Sequence, residues 1–317
     1  MSEEQEIKLN DANKALLDQV NELYPEGSVF VQFKGGQSGY VRHDQATQQM
    51  IPGALVILVT DLTEPNYTAS HELLHLLMLL RGFPQIFFQL SLGDRELDEQ
   101  MMIMSTDLYN VAMHRVVVAE QRKHGFINDR VEEEYLKGVE HTLTPESEDD
   151  DERALRLLTL LDALVFFGDH LAKYEEQLQN NYPKALAAAK KIYAEITKKP
   201  IKNAFDMWRS IVKIYSLYDQ QMEEWGLPAL NNDKFTTLSP VLSERQLRLE
   251  VRQVFEIFNS GMKDRKTGKP AYVGLRRNIG QNSFTTAKHS PEEFKQIYDQ
   301  PVKEFLEQNH IPYIIRK

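Results

Sequence analysis

The sequence predicts an α+β protein: a small sheet and a motif-bearing helix in the N-terminal part, followed by a mostly α-helical C-terminal region. Three observations predict it. Two apolar, β-branched runs at 29–33 and 53–60 read as strands. The stretch 67–80 is apolar almost all round, as a buried helix is. Beyond residue 146, apolar residues recur at helical spacing between breakers such as Pro183, Pro200 and Gly226-Leu227-Pro228.

Taken in order, Ile7, Ala15, Leu16, Leu17, Val20 and Leu23 share a helical face, and Pro25-Glu26-Gly27 stops that helix. The strand at 29–33 ends at Gly35-Gly36, and residues 39–42 are a second, shorter strand candidate. Residues 44–50 are polar and glutamine-rich. The continuous run at 53–60 predicts a buried strand, and a loop with Pro65 and Asn66 leads into the motif helix. One long helix is expected from about Glu96 to His124, stopped by Gly125. The acidic run at 145–152 reads as a boundary or mobile loop. Helices are expected at 153–180, 184–197, 202–225 and, capped by Ser243, up to Ser260. Residues 263–290 read as loop with a short strand at 272–275. Ser290-Pro291 opens a last helix, and 313–315 is a terminal strand. The resulting organisation is three consecutive segments, 1–145, 146–262 and 263–317.

Composition narrows the function. A net charge of −10 over 317 residues repels phosphate backbones, so nucleic acid is not the expected partner. With no cysteine there is no disulfide, no thiolate ligand and no cysteine nucleophile. The acidic start, with Glu3, Glu4 and Glu6, is unlike a signal peptide, and no apolar run is long enough to span a bilayer. The expectation is a cytoplasmic protein with no membrane partner.

The chemistry concentrates at His71-Glu72-Leu73-Leu74-His75. Histidines four apart on a helix project from one face and can both reach one zinc ion at ~2.0–2.1 Å. Glu72 faces the same side obliquely and can act on a water without ligating the metal. Nine histidines make this pattern a chance event of about one in fifty, so context matters. Here Leu73, Leu74, Leu76, Leu77, Met78, Leu79 and Leu80 surround it with apolar surface, where two imidazoles and a carboxylate without partners would be costly.

A zinc site that keeps one position open needs a third protein ligand. Glu96, Asp98, Glu99, Asp107, His114, Glu120 and His124 follow in the chain. Asp107, Asn110 and His114 share one helical face with Met104 and Val117, which predicts polar groups on a buried stripe. Asp107 and His114 are therefore the candidate ligands. Asp107 is slightly favoured, with His114 or Asn110 as a donor to an oxyanion; in the reverse assignment His114 ligates and Asp107 orients an imidazole.

A strand, a short loop, Tyr67-Thr68-Ala69-Ser70 and then His71-Glu72-x-x-His75, followed by a second long helix, resembles the zincin metallopeptidases. Within them it is most similar to the gluzincin-like group that includes the ImmA/IrrE-type bacterial peptidases. The resemblance covers residues 28–125. It implies a zincin-like N-terminal domain, His71 and His75 as Zn2+ ligands, Glu72 as catalytic base, a third ligand from the next helix, and a peptide or protein substrate. The chain departs from the family pattern where leucines replace the glycine beside the second histidine, and no glutamate stands out as third ligand. A second expectation is a non-catalytic, zinc-stabilised interaction protein with a degenerate zincin domain.

Other features read more plainly. Lys263, Arg265, Lys266, Lys269, Arg276 and Arg277 form a solvated basic segment without a phosphate-loop pattern. Tyr193, Trp208, Tyr215, Tyr218 and Trp225 recur near helical spacing, as core residues do.

Overall fold

A computed structural model describes residues 7–147 and 152–316, so residues 148–151 of the acidic run lie outside the described residues. The chain is a mixed α+β protein. Helix α1 (Asp11–Leu23) starts where the Asn10 side chain accepts from the Asn13 N–H. Strands β1 (Ser28–Gly36), β2 (Ala46–Ile51) and β3 (Ala54–Asp61) form one sheet in the order β1-β3-β2. The central β3 runs parallel to β1 and antiparallel to β2, with Val29 opposite Leu55 and Met50 opposite Leu55 on the other side. Its Leu55, Val56, Ile57 and Val59 are buried, as the continuous apolar run predicts.

The second strand lies in the polar, glutamine-rich stretch and not at the candidate 39–42. The tight turn at Pro52-Gly53 folds 46–51 back on β3 as an edge, where exposed Gln48 and Gln49 are tolerated. Helix α2 (Pro65–Leu80), with proline in its first turn, carries the motif and packs against α1. Asn66 links the two, accepting from the Asn10 N–H and the Asn13 amide.

Two short strands follow, β4 (Ile86–Phe87) and β5 (Leu90–Ser91), and then α3 (Arg95–Lys123), close to the expected long helix. Next come α4 (Asp129–Thr142), α5 (Arg153–Phe167), a 3-10 turn (Gly168–Lys173), α6 (Glu175–Asn181), α7 (Pro183–Thr197) and α8 (Ala204–Glu224). The helix expected at 153–180 is broken at Gly168, whose φ of +52° no helix interior admits.

The single helix expected from Ser243 is also divided. After α9 (Asn232–Phe235), β6 (Thr237–Leu238) and β7 (Val241–Leu242), Ser243 caps only the one-turn α10 (Glu244–Leu247). Glu250 caps α11 (Val251–Val254), and β8 (Phe255–Asp264) begins at once. β8 pairs with β9 (Pro270–Arg276), which pairs with β10 (Asn282–Ala287), so the region read as loop is mostly sheet. These strands pair as consecutive antiparallel hairpins, but polar residues such as Asn259 and Thr285 interrupt the apolar alternation that marks a strand. Ser290 does cap α12 (Pro291–Asp299), in a reciprocal box with Glu293; Pro301 separates it from α13 (Val302–Gln308), and β11 (Ile314–Ile315) closes on β7.

Two compact units result, each made of two chain segments. The first holds residues 1–81 and 113–193, the second 82–112 and 194–317, so α3 and α7 each run through both. In the first unit Leu157, Leu160, Leu161, Phe166 and Phe167 of α5 are buried. In the second, Trp208, Tyr215 and Tyr218 of α8 are core residues, as their spacing predicts, and Trp225 is half-buried, as is Tyr193 of the first unit. The basic side chains of 263–277 are exposed except Arg276, which is buried over the Trp208 ring and donates to the Val241 carbonyl. Among the described residues no helix is long and apolar enough to cross a membrane.

Candidate metal centre

The first unit brings four histidines together. His71 and His75, one turn apart on α2, have ring centroids 4.7 Å apart. His114 of α3 lies 4.8 Å from the His71 ring and 5.1 Å from that of His75. His43, from the segment between β1 and β2, stacks on His71 at 4.4 Å with the rings 8° from parallel. One ligand-capable atom from each of His43, His71 and His114 lies within 4.8 Å of the others.

A carboxylate holds this nest. Asp162 of α5 accepts from His114 Nδ1 at 2.6 Å through one oxygen and from His43 Nδ1 at 2.9 Å through the other, and Tyr135 donates its hydroxyl at 3.3 Å. Burial pushes the Asp162 carboxyl up, but His114 and then His43 outweigh it and hold the group well below the usual carboxylate range. With Asp162 ionised, both Nδ1 atoms carry the hydrogen and both Nε2 atoms carry lone pairs. His43 Nε2 accepts from the Tyr67 hydroxyl at 2.9 Å. His114 Nε2 is buried without a hydrogen-bond partner, and so is His71 Nδ1.

The protonation states suit ligation. Burial, followed by the neighbouring imidazoles, lowers His71 and His75 well below the ordinary histidine range. Burial also lowers His114, against the pull of Asp162. Three neutral imidazoles therefore present lone pairs at neutral pH. Glu72 is half-buried and accepts from the Gln48 amide of β2 at 3.1 Å. Its carboxyl is raised by burial, with Gln48 and His43 opposing.

Helix α4 places His43 through two contacts. The Val41 N–H donates to the Glu134 carbonyl of α4 at 2.9 Å. On the next turn Gly138 passes so close that a Cβ there would stand 2.0 Å from the Val41 carbonyl oxygen. Gln121 of α3 steadies α2 by donating to Ser70 Oγ at 2.8 Å and to the Tyr67 carbonyl.

Of the residues the sequence singles out, His71, His75, Glu72 and His114 meet in this unit. Asp107 does not: the buried stripe predicted for it fails, because Asp107 is exposed in the second unit, where burial, then Asp219 and then Asp107 raise the Tyr218 phenol. Asn110 also belongs to the second unit. Among the other downstream acids, Asp98 accepts from the Leu92 N–H at the start of α3 and Glu99 pairs with Arg95. The carboxylate at the site is Asp162, the single acid in the apolar run 157–167, and an acid so placed demands a partner. His43 sits in a polar stretch with no periodicity and carries no such signal.

No family model matches the chain, and neither does any curated protein or solved structure.

Proposed function

We propose that the first unit is a zinc-dependent hydrolase acting on peptides or proteins, with His71, His75 and His114 as the zinc-holding residues and Glu72 as general base. The observation that carries this reading is the buried, partnerless Nε2 of His114, whose ring is fixed by Asp162 beside His71. An imidazole oriented through its other nitrogen by a carboxylate is the arrangement of a metal ligand, and a buried lone pair with no donor carries a desolvation cost that a cation removes. The all-nitrogen donor set suits zinc.

Zinc at such a site supplies Lewis acidity, which makes water more acidic and polarises a carbonyl. The chain's own part is proton handling and orientation. Glu72, next to His71 but held back by Gln48, accepts the proton of an attacking water and returns it to the leaving nitrogen. Its raised carboxyl makes it a stronger base than an exposed glutamate. Asp162 keeps the His114 ring turned and balances charge that develops beside it.

The test is metal analysis and hydrolysis of a fluorogenic peptide library. Wild type is expected to hold one zinc per chain, His71→Ala none, and Glu72→Gln one zinc without hydrolysis. A Glu72→Gln chain that still cleaves, or a His71→Ala chain that keeps its zinc, refutes the assignment. A second reading, a non-catalytic protein with a closed structural metal, is favoured by one observation: His43 joins His71 and His114 in a group whose ligand-capable atoms lie within 4.8 Å of one another.

A further inference from the structure

We propose that His43 is an alternate fourth ligand of the same metal, held off it by the Tyr67 hydroxyl, so that the centre passes between an open set of three imidazoles and a closed set of four. The inference rests on the metal reading of His71, His75 and His114 and deepens it.

The geometry treats His43 and His114 alike. Each gives its Nδ1 hydrogen to one oxygen of the same carboxylate, at 2.9 and 2.6 Å, and each is left with an Nε2 lone pair. Their ring centroids are only 4.2 Å apart. Only the fate of Nε2 differs. That of His114 has no partner, whereas that of His43 is capped by Tyr67 Oη at 2.9 Å. A bond length of ~2.0–2.1 Å places two tetrahedral ligand atoms roughly 3.4 Å apart. The candidate atoms of His43, His71 and His114 already lie within 4.8 Å of one another, so each ring has to close by about 1 Å or less, within the reach of side-chain rotation.

Tyr67 is placed to govern that closure. It precedes His71 by one turn of α2, so the latch and a ligand ride on the same helix. Its hydroxyl is buried and its bond to His43 is a single neutral hydrogen bond, a weaker hold than a metal–imidazole bond. Breaking it frees His43 for the fourth position, and the centre then has no place for water or substrate. Occupancy of that position by a substrate oxygen returns His43 to Tyr67. The Tyr67 hydroxyl thus sets the balance between the open and the closed centre.

The experiment is X-ray absorption on the zinc-loaded, full-length protein, which counts imidazoles directly, with acetohydroxamate binding as a second readout. Wild type under saturating acetohydroxamate is expected to show three imidazoles. Tyr67→Phe without it is expected to show four and no light oxygen ligand, and to bind acetohydroxamate at least about tenfold more weakly. Adding His43→Gln to Tyr67→Phe is expected to restore three imidazoles and the lost affinity. If Tyr67→Phe fails to fold, Tyr67→Met removes the same hydroxyl. Three imidazoles in the hydroxyl-less chain, or no recovery in the double variant, overturns the latch while leaving the three-histidine centre standing. Failure of wild type to bind zinc at all overturns the centre and the latch with it.

Discussion

Asp162 Oδ1 lies 2.6 Å from His114 Nδ1, although 48 residues separate the two in the chain. The bond fixes the His114 tautomer and turns its free nitrogen toward the other histidines. Asp162→Asn keeps the shape but replaces the anion with a neutral amide. Zinc affinity is expected to fall about 10- to 100-fold, the usual loss when an orienting carboxylate is removed. Competition with a chromophoric chelator measures it, and an unchanged affinity would show that Asp162 orients nothing of consequence.

The third ligand separates two single substitutions. His114→Ala is expected to strip the zinc or weaken it by orders of magnitude. Asp107→Ala, at an exposed position of the second unit, is expected to retain one zinc per chain. The reverse pattern in a metal assay restores Asp107 as the ligand.

Glu72→Gln is isosteric and keeps an acceptor for Gln48, so the fold and the metal are expected to survive. Hydrolysis is expected to drop by about 10²–10⁴-fold, the worth of a positioned general base. Turnover of the same fluorogenic peptides, normalised to bound zinc, gives the number.

Gly138→Ala tests how His43 is placed. In an open helix interior alanine would stabilise by about 0.5–1 kcal/mol relative to glycine. Here the new methyl would stand 2.0 Å from the backbone oxygen of Val41, so α4 and the segment that carries His43 must separate. Overpacking of that kind costs about 1–3 kcal/mol and decides the sign. A lower melting temperature is expected, and a Gly138→Ala chain as stable as wild type would mean that the contact relaxes freely.

Asp219 offers a pH test remote from any metal. Burial pushes its carboxyl up to about 6, against the backbone N–H bonds it accepts from Leu230 and Asn231. The folded state therefore binds this proton more tightly than the unfolded chain, whose pKa is near the ordinary aspartate value of 3.8. The favourable contribution is complete below about 3.8 and is lost as pH rises through about 6. Urea melts across that window are expected to show wild type losing stability relative to Asp219→Asn. A constant difference between the two would disprove the shift.

How far the sequence reaches is visible in these same residues. The mixed α+β class, the buried strand at 54–61, the motif helix, the long third helix and the Ser290 cap were all legible, because local periodicity and capping chemistry record them. So was the grouping of His71, Glu72 and His75, since spacing on one helix settles which side chains share a face. The strands β8 and β10 and the edge strand β2 were not, because polar residues such as Gln48, Asn259 and Thr285 interrupt the apolar alternation within them. Helical periodicity placed Asp107 on the same stripe as His114, yet which part of a 29-residue helix is buried depends on what packs against it. The rest of the nest was decided only by tertiary structure. Asp162 meets His114 because α5 buries a lone acid that needs donors. His43 meets His71 because Gly138 lets a loop approach a helix backbone. Neither is a property of any local stretch of sequence: a buried charge requires a partner, but only packing selects which one.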